Sequence, residues 1–200
     1  MTTNKLVILI LAAGGSKRMR RAKQLLEYHG KSLLQRSIEN SMATGYPVVV
    51  VLGAYSHQIK PLVENYSVKY VINENWGKGI STSIRSGVTY ALDHIPELKG
   101  VLITLTDQPR ITSAHLNSIL ESATNNSDIV ATEFQGIKGV PAYFSEKYLE
   151  ELKNLKGDAG AMVLIKKWPK YVEGVPFPAA AMDIDTEQDW KDFMARGFKP

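Results

Sequence analysis

The chain has 200 residues, 44% hydrophobic and 22% charged, enough to bury one substantial core, so a single domain over residues 1–200 is expected. It contains no cysteine, which excludes a disulfide framework, a zinc finger, an iron–sulfur cluster and a cysteine nucleophile, and is compatible with a reducing compartment. Lys and Arg number 24 against 20 Asp and Glu, a net charge of +4, but five of the cations (Lys17, Arg18, Arg20, Arg21 and Lys23) fall within seven residues, and +4 less those five leaves −1 for the rest. A nearly neutral protein with one basic loop is expected to bind a local anion rather than to coat nucleic acid.

Lys5 followed by Leu6–Ala13 has the outline of a signal peptide. The stretch is short, however, and runs into Gly-Gly-Ser and the cations rather than into a cleavage site, so it reads as a buried strand. No apolar run approaches the roughly 20 residues of a membrane span, and a soluble, cytoplasmic protein with no membrane partner is expected. Leu6–Leu11, Val48–Leu52, Val68–Ile72 and Val101–Leu105 are the first strands. Between them helices are predicted over Ser32–Ala43, with Leu34, Ile38 and Met42 four apart, over Ser56–Glu64, and over Ile80–Leu92, with Ile80, Ile84 and Val88 four apart. Short apolar strands alternating with helices predict an α/β protein whose sheet is covered on both faces, with a βαβαβαβ first half.

Thr112 or Ser113 caps a further helix bearing Leu116, Ile119 and Leu120, and Asp128–Glu133 is a strand. Gly136 and Gly139 then interrupt the pattern, so Val140–Phe144 is expected to pair antiparallel with its predecessor. Ser145 is expected to cap a helix bearing Tyr148, Leu149, Leu152 and Leu155 and ended by Gly157. Two short apolar pieces, Tyr171–Val175 and Met182–Ile184, precede a last helix that starts at Thr186 with capping-box spacing to Asp189.

The first strand ends in Ala12-Ala13-Gly14-Gly15-Ser16-Lys17-Arg18-Met19, with Lys23 beyond it. Small residues at a strand's carboxyl end let backbone N–H groups approach phosphate, and open α/β sheets bind ligands at that edge. There is no G-x-G-x-x-G, and Gly30-Lys31-Ser32 lacks the glycine that a P-loop needs five residues earlier, where Leu25 stands. Gly30–Ser32 is therefore read as a turn and helix cap. In the basic loop Arg18 suits a bidentate grip on phosphate and Lys23 a point charge, while Lys17, Arg20 and Arg21 steer. Asp107, in Asp107-Gln108-Pro109 after the fourth strand, suits a hard divalent cation that also touches phosphate. Asp183 and Asp185 compete for the second position, whereas Asp189 is assigned to the capping box.

Taken in order, Leu11-Ala-Ala-Gly-Gly-Ser-Lys-Arg-Met19 with Lys23, Asp107-Gln-Pro109, Gly157-Asp-Ala-Gly160 and Asp183-Ile-Asp-Thr186 resemble the motif set of the molybdenum cofactor nucleotidyltransferases. Leu-Ala-Ala-Gly is more similar to the cytidylyltransferase branch than to the guanylyltransferase branch, which typically carries Leu-Ala-Gly-Gly. The resemblance implies a Rossmann-like nucleotidyltransferase fold of the nucleotide-diphospho-sugar transferase type, a three-layer sandwich with a mostly parallel sheet and some antiparallel pairing in the C-terminal half. It implies that Leu11, Ala12, Ala13, Gly14, Gly15, Ser16, Arg18 and Lys23 bind the nucleotide, joined by Asn73 and Ser81 from the segment Asn73–Ser83. Arg18, Lys23 and Asp107 would be catalytic, and Asp107 and Asp185 would hold Mg²⁺.

Three departures from the family pattern stand out. Arg20 replaces the glycine after Arg-Met, Gly139-Val140-Pro141 replaces Gly-His-Pro, and Met162 replaces the arginine after Gly-Asp-x-Gly-Ala. The last two fall in the half that would meet the second substrate. The implied reaction moves CMP from CTP, favoured among nucleoside triphosphates, to the phosphate of molybdopterin or another small phosphate-bearing acceptor, with a molybdoenzyme as a further partner. The alternatives are a sugar-phosphate acceptor, an NAD(P)H-dependent oxidoreductase on the same fold, and a non-catalytic cofactor carrier. None of His29, His57, His94 and His115 sits beside these motifs, and surface or helix positions are expected for them.

Overall fold

A computed structural model describes residues 5–124, 127–180 and 183–196. In chain order the elements are β1 (Leu6–Ala12), the hairpin strands β2 (Glu27–Tyr28) and β3 (Lys31–Ser32), α1 (Leu33–Met42), β4 (Val48–Leu52), α2 (Ser56–Val63), β5 (Lys69–Ile72), α3 (Ile80–His94) and β6 (Gly100–Leu105). They continue with α4 (Ser113–Thr124), β7 (Ile129–Phe134), β8 (Ile137–Ser145), α5 (Leu149–Lys153), α6 (Met162–Lys167), β9 (Val172–Pro176) and α7 (Glu187–Arg196).

Seven strands form one sheet in the order β5-β4-β1-β6-β8-β7-β9. β1 lies parallel to both β4 and β6, which leave it by opposite edges, so its carboxyl end and that of β6 flank the point where strand order reverses. A crevice at such a point is where open α/β sheets bind ligands. As expected, β8 is antiparallel, but it pairs with β6 as well as β7, and the hairpin turns tightly at Gln135 and Gly136, both with positive φ. β9 closes the far edge parallel to β7.

β1 is buried along its whole length because alternate side chains enter two cores. Val7, Leu9 and Leu11 pack with Ile84 of α3, Leu152 of α5 and Leu164 of α6. Ile8, Ile10 and Ala12 pack with Ile38 of α1, Ile59 of α2 and Ile119 of α4. A third, smaller cluster gathers Met19, Leu26, Tyr28, Leu33, Ile184 and Phe193. It ties the basic loop to the C-terminal segment.

Ser32 is the expected cap. Its hydroxyl accepts from the Gln35 N–H and the Gln35 side chain accepts from the Ser32 N–H, which closes a capping box on α1. At the other end of the chain Asp189 and Thr186 close a second one, as the spacing predicted. The region after Ser145 differs from expectation. Ser145 caps nothing, and its buried hydroxyl has no hydrogen-bond partner. Glu146–Tyr148 form a 3₁₀ turn, and α5 ends at Lys153 rather than at Gly157. α6 had not been foreseen, and Asp183–Asp185 form no strand; Met182, assigned to that apolar piece, lies outside the described residues. No helix among the described residues is long and apolar enough to cross a membrane.

His115 is on a helix, as expected, but faces inward on α4, stacked on Phe177 with ring centroids 4.1 Å apart. Its Nε2 lies 2.8 Å from the Thr132 hydroxyl, which spends its only proton on the Pro141 carbonyl, so Nε2 carries the ring proton. Burial pushes the imidazole pKa from 6.5 down to about 4. Between those values the unfolded chain holds a proton that the folded chain does not. The contribution is full above pH 6.5 and is lost as pH falls towards 4. His115→Gln keeps a donor near the same position without titrating. Urea midpoints at pH 7 and pH 4.5 should therefore converge in the variant relative to the unmodified protein, by an amount corresponding to up to about 3 kcal/mol.

Candidate active site

The loop after β1 owes its shape to residues the sequence did not mark for that purpose. Ser16 and Arg20 take left-handed backbone conformations, with φ of 44° and 55°, and the N–H groups of Met19 and Arg20 both donate to the Ser16 carbonyl. The family's glycine position thus keeps its turn while carrying Arg20, at the ~1–2 kcal/mol cost of a left-handed non-glycine residue. A Cβ on Gly15 would lie 2.9 Å from the Trp76 ring, so its lack of a side chain is what lets the indole close over the loop. Gln24, one residue past Lys23, is buried and donates through Nε2 to the carbonyls of Ala12 (2.9 Å) and Gly14 (3.0 Å). Sequence reasoning missed it, and its adjacency to Lys23 was the only signal.

A cleft of about 350 Å³ opens here between the ends of β1 and β6. Leu11, Ala13, Gly14, Gly15, Lys17 and Lys23 form one side of it, and Asp107 and Asp158 also face it. Ala12 turns into the opposite core. Asn73 is buried, and its amide is committed to Thr82, Ser83 and the Asn75 N–H, so it shapes the cleft wall. Ser81 is buried with an unpartnered hydroxyl, while its neighbours Ile80 and Ser83 reach the lining. The Ser81 N–H donates to the Gly157 carbonyl at 3.2 Å, which joins the Asn73–Ser83 segment to Gly157-Asp-Ala-Gly160.

Gly79 makes that junction possible. Its φ is +106°, and a Cβ there would run into the Gly157 carbonyl. Gly79→Ala is expected to cost about 2–3 kcal/mol of stability, measured by chemical denaturation, because the backbone conformation is close to glycine-only and the carbonyl cannot yield without moving α3.

The charged groups converge at the crevice mouth. Lys23 Nζ is 2.6 Å from Asp107 Oδ2, 3.0 Å from Asp185 Oδ1 and 3.2 Å from the Ile184 carbonyl, so its three protons are committed. Arg18 reaches Asp185 Oδ2 at 2.8 Å, and Arg21 forms a bidentate pair with Glu187 at 2.8 and 2.9 Å. Met19 and Ile184 meet in the third core cluster, and the Ile184 N–H donates to the Asp107 carbonyl at 2.8 Å. Three of the five loop cations are thus paired with C-terminal carboxylates or with Asp107 just after β6, while Lys17 lines the cleft without an ion pair among the described residues.

Burial pulls the Lys23 pKa down, but the Asp107 and Asp185 carboxylates outweigh it and leave the ammonium raised, hence fully charged at neutral pH. Burial raises Asp185, and Lys23 and Arg18 overcome that to hold it below the ordinary carboxylate range. Asp183 goes the other way. Burial and the nearby Asp107 and Asp185 raise it, against a 3.1 Å hydrogen bond from Gln108.

Asp107 Oδ1 is buried and has no hydrogen-bond partner, although Oδ2 is taken by Lys23. An orphaned carboxylate oxygen beside a second carboxylate is a donor set that suits a hard divalent cation. Among the described residues no three carboxylate or imidazole groups converge to hold a metal unaided. Such an ion would take its other oxygens from phosphate and water.

A second cleft, also of about 350 Å³, lies across the acidic cluster and is lined by Leu105, Gln108, Val140, Met162 and Asp183 among others. Leu105 borders both clefts.

The chain is 27% identical over 178 residues to the purine catabolism protein PucB of Bacillus subtilis (strain 168), covering 83% of each chain. It is 26% identical over 192 residues to the nicotine blue oxidoreductase of Paenarthrobacter nicotinovorans, covering 89% of this chain and 91% of that one. To the molybdenum cofactor cytidylyltransferase of Escherichia coli (strain K12) it is 23% identical over 186 residues, 91% of this chain and 92% of the relative. It superposes on the crystal structure of Rv0371c from Mycobacterium tuberculosis H37Rv with a TM-score of 0.84 at 25% identity, over 97% and 100% of the two chains. A manganese complex of Rv0371c gives 0.78 at 23% identity over 95% and 98%. The profile of the MobA-like NTP transferase domain matches residues 8–173. The chain belongs to the MobA-like NTP transferase family, an enzyme family of nucleotidyltransferase type.

Proposed function

We propose that this protein transfers CMP from CTP to the phosphate of molybdopterin or a closely related small phosphate monoester. The acceptor phosphate oxygen forms a bond to the α-phosphorus as the bond to the β-phosphate breaks and pyrophosphate leaves. The observation that carries this reading is Lys23 seated between Asp107 and Asp185 at the cleft mouth, with the second Asp107 oxygen buried and unpartnered.

The acceptor is already an anion, so no side-chain base is needed. The chain's task is to hold two anions in line and to neutralise charge at the α-phosphate. Asp107 Oδ1 and Asp185 would hold Mg²⁺, which would supply Lewis-acid polarisation of the phosphoryl centre. Because Asp185 keeps Arg18 as a second partner, Lys23 can exchange a carboxylate for a triphosphate oxygen without leaving Asp185 unpaired. The loop N–H groups and Lys17 take the rest of the triphosphate. CTP is favoured by Leu-Ala-Ala-Gly and by the likeness to the E. coli cytidylyltransferase.

The likeness to nicotine blue oxidoreductase supports one rival, reduction of a small molecule by NAD(P)H. Incubating the protein with Mg²⁺, each nucleoside triphosphate and molybdopterin while following pyrophosphate separates the two. Release with CTP supports the transferase. Triphosphate binding without pyrophosphate under any divalent metal, together with NAD(P)H oxidation by a dye, favours the oxidoreductase.

A further inference from the structure

The two departures in the acceptor half, Val140 and Met162, meet in one place. β8 and the start of α6 bring them to the second cleft, where Met162 Sδ lies 3.4 Å from where a Cβ on Gly139 would stand. Leu105, Phe134 and Ile137 complete apolar walls, and Ile137, at the hairpin tip, is left 66% exposed. Among the described residues Asp183 is the only ionisable side chain in this lining. The Thr132 hydroxyl is spent on Pro141 and His115, and Gln108 Nε2 on the Val140 carbonyl and Asp183. Gln108 Oε1 is buried and unpartnered. An apolar slot whose one charge is negative attracts no further anion and favours a body that buries carbon surface and donates N–H or O–H groups.

We propose that the second cleft receives the uncharged, apolar body of the phosphate acceptor, and that Val140 and Met162 select against acceptors carrying another anionic group beyond the transferred-to phosphate. This rests on the nucleotidyl-transfer reading for the assignment of the cleft to the acceptor. Contiguity supports it. The phosphate of a molecule lodged there would lie toward Asp107 and Asp185, because Gln108 adjoins Asp107, Asp183 stands two residues before Asp185, and Leu105 is shared by both clefts. Selection against a second anion follows from Asp183, which repels it, and from a wall in which, among the described residues, no lysine, arginine or histidine answers it.

Binding can be read without turnover. 1-Naphthyl phosphate, glycerol 3-phosphate and 3-phosphoglycerate are titrated calorimetrically into the full chain with Mg²⁺, with and without α,β-methylene-CTP. The aromatic phosphate is expected to bind at least tenfold more tightly than glycerol 3-phosphate, and 3-phosphoglycerate least of all. Met162→Arg should shift the ratio between 1-naphthyl phosphate and 3-phosphoglycerate, which carries a carboxylate as well as its phosphate, at least tenfold towards 3-phosphoglycerate while CTP affinity stays unchanged. Ile137→Asp, at an exposed tip where folding is not at stake, should weaken naphthyl phosphate about tenfold. Equal binding of all three, no binding of any, or ratios unmoved in both variants overturn the proposal. Selective binding that responds to the variants, with no pyrophosphate released from any nucleotide, upholds the apolar cleft and sinks the transferase reading. Pyrophosphate release driven by glycerol 3-phosphate alone does the reverse.

Discussion

Lys23→Met is expected to lower CTP affinity at least 100-fold and to lower the thermal midpoint as well, two losses with one electrostatic origin. Lys23 and Asp107 side chains are only 13% and 17% exposed, and the ammonium is the contact that Asp107 shares with Asp185. Methionine preserves the length and apolar stem but leaves the carboxylates of Asp107, Asp183 and Asp185 with Arg18 as their remaining nearby cation. Breaking a fully buried pair costs about 3–5 kcal/mol. Partial exposure here reduces that to about 2, which for a chain of this size is roughly 4–8 °C in Tm. The same uncompensated acids then repel the incoming triphosphate, so the binding loss exceeds that of one missing hydrogen bond. Calorimetric titration with CTP and thermal unfolding of the same preparation check both. Unchanged CTP affinity would remove Lys23 from the triphosphate site. Lys23→Arg keeps the charge but not the three-way geometry, and should fall between the two.

Much of the scaffold was legible because its signals are local. Leu6–Ala12 is apolar at every position, and only a strand buried on both faces has use for that. Ser32 and Thr186 each announced a helix by an oxygen placed where the first turn needs an acceptor. What stayed hidden depends on partners distant in the chain. Nothing near Met19 indicates that it packs with Ile184 and Phe193, yet that contact brings the basic loop against Asp185. Arg21, read as a steering charge, turns out to clamp the loop to α7 through Glu187. α6 is six residues long, too short to display a helical period, and β2 and β3 are two residues each. The site followed the same rule. Lys23, Asp107 and Asp185 could be marked as candidates and the structure brings them together, but that the lysine stands between the two carboxylates could not be read.

That arrangement ranks the three aspartates. Asp107→Asn should reduce the rate of pyrophosphate release about 10³-fold, near 4 kcal/mol of transition-state stabilisation, while leaving the fold intact. An asparagine fills the same volume and still accepts from Lys23 through its carbonyl, but it offers no anionic oxygen where Oδ1 is buried and unpartnered. Asp185→Asn should cost about 10²-fold, because Arg18 and Lys23 already hold that carboxylate in its charged form and its loss frees both cations towards the triphosphate, offsetting part of the damage. Asp183→Asn should cost less than tenfold in rate. Its carboxylate is held by Gln108 and lines the second cleft, whereas Lys23 bonds Asp107 and Asp185, so the change should appear in the KM for the acceptor. Steady-state kinetics of the three variants at several Mg²⁺ concentrations test the order. If Asp183→Asn raises the Mg²⁺ requirement more than Asp185→Asn does, the second metal ligand is Asp183, and Asp185 serves only to anchor the loop through Arg18 and Lys23.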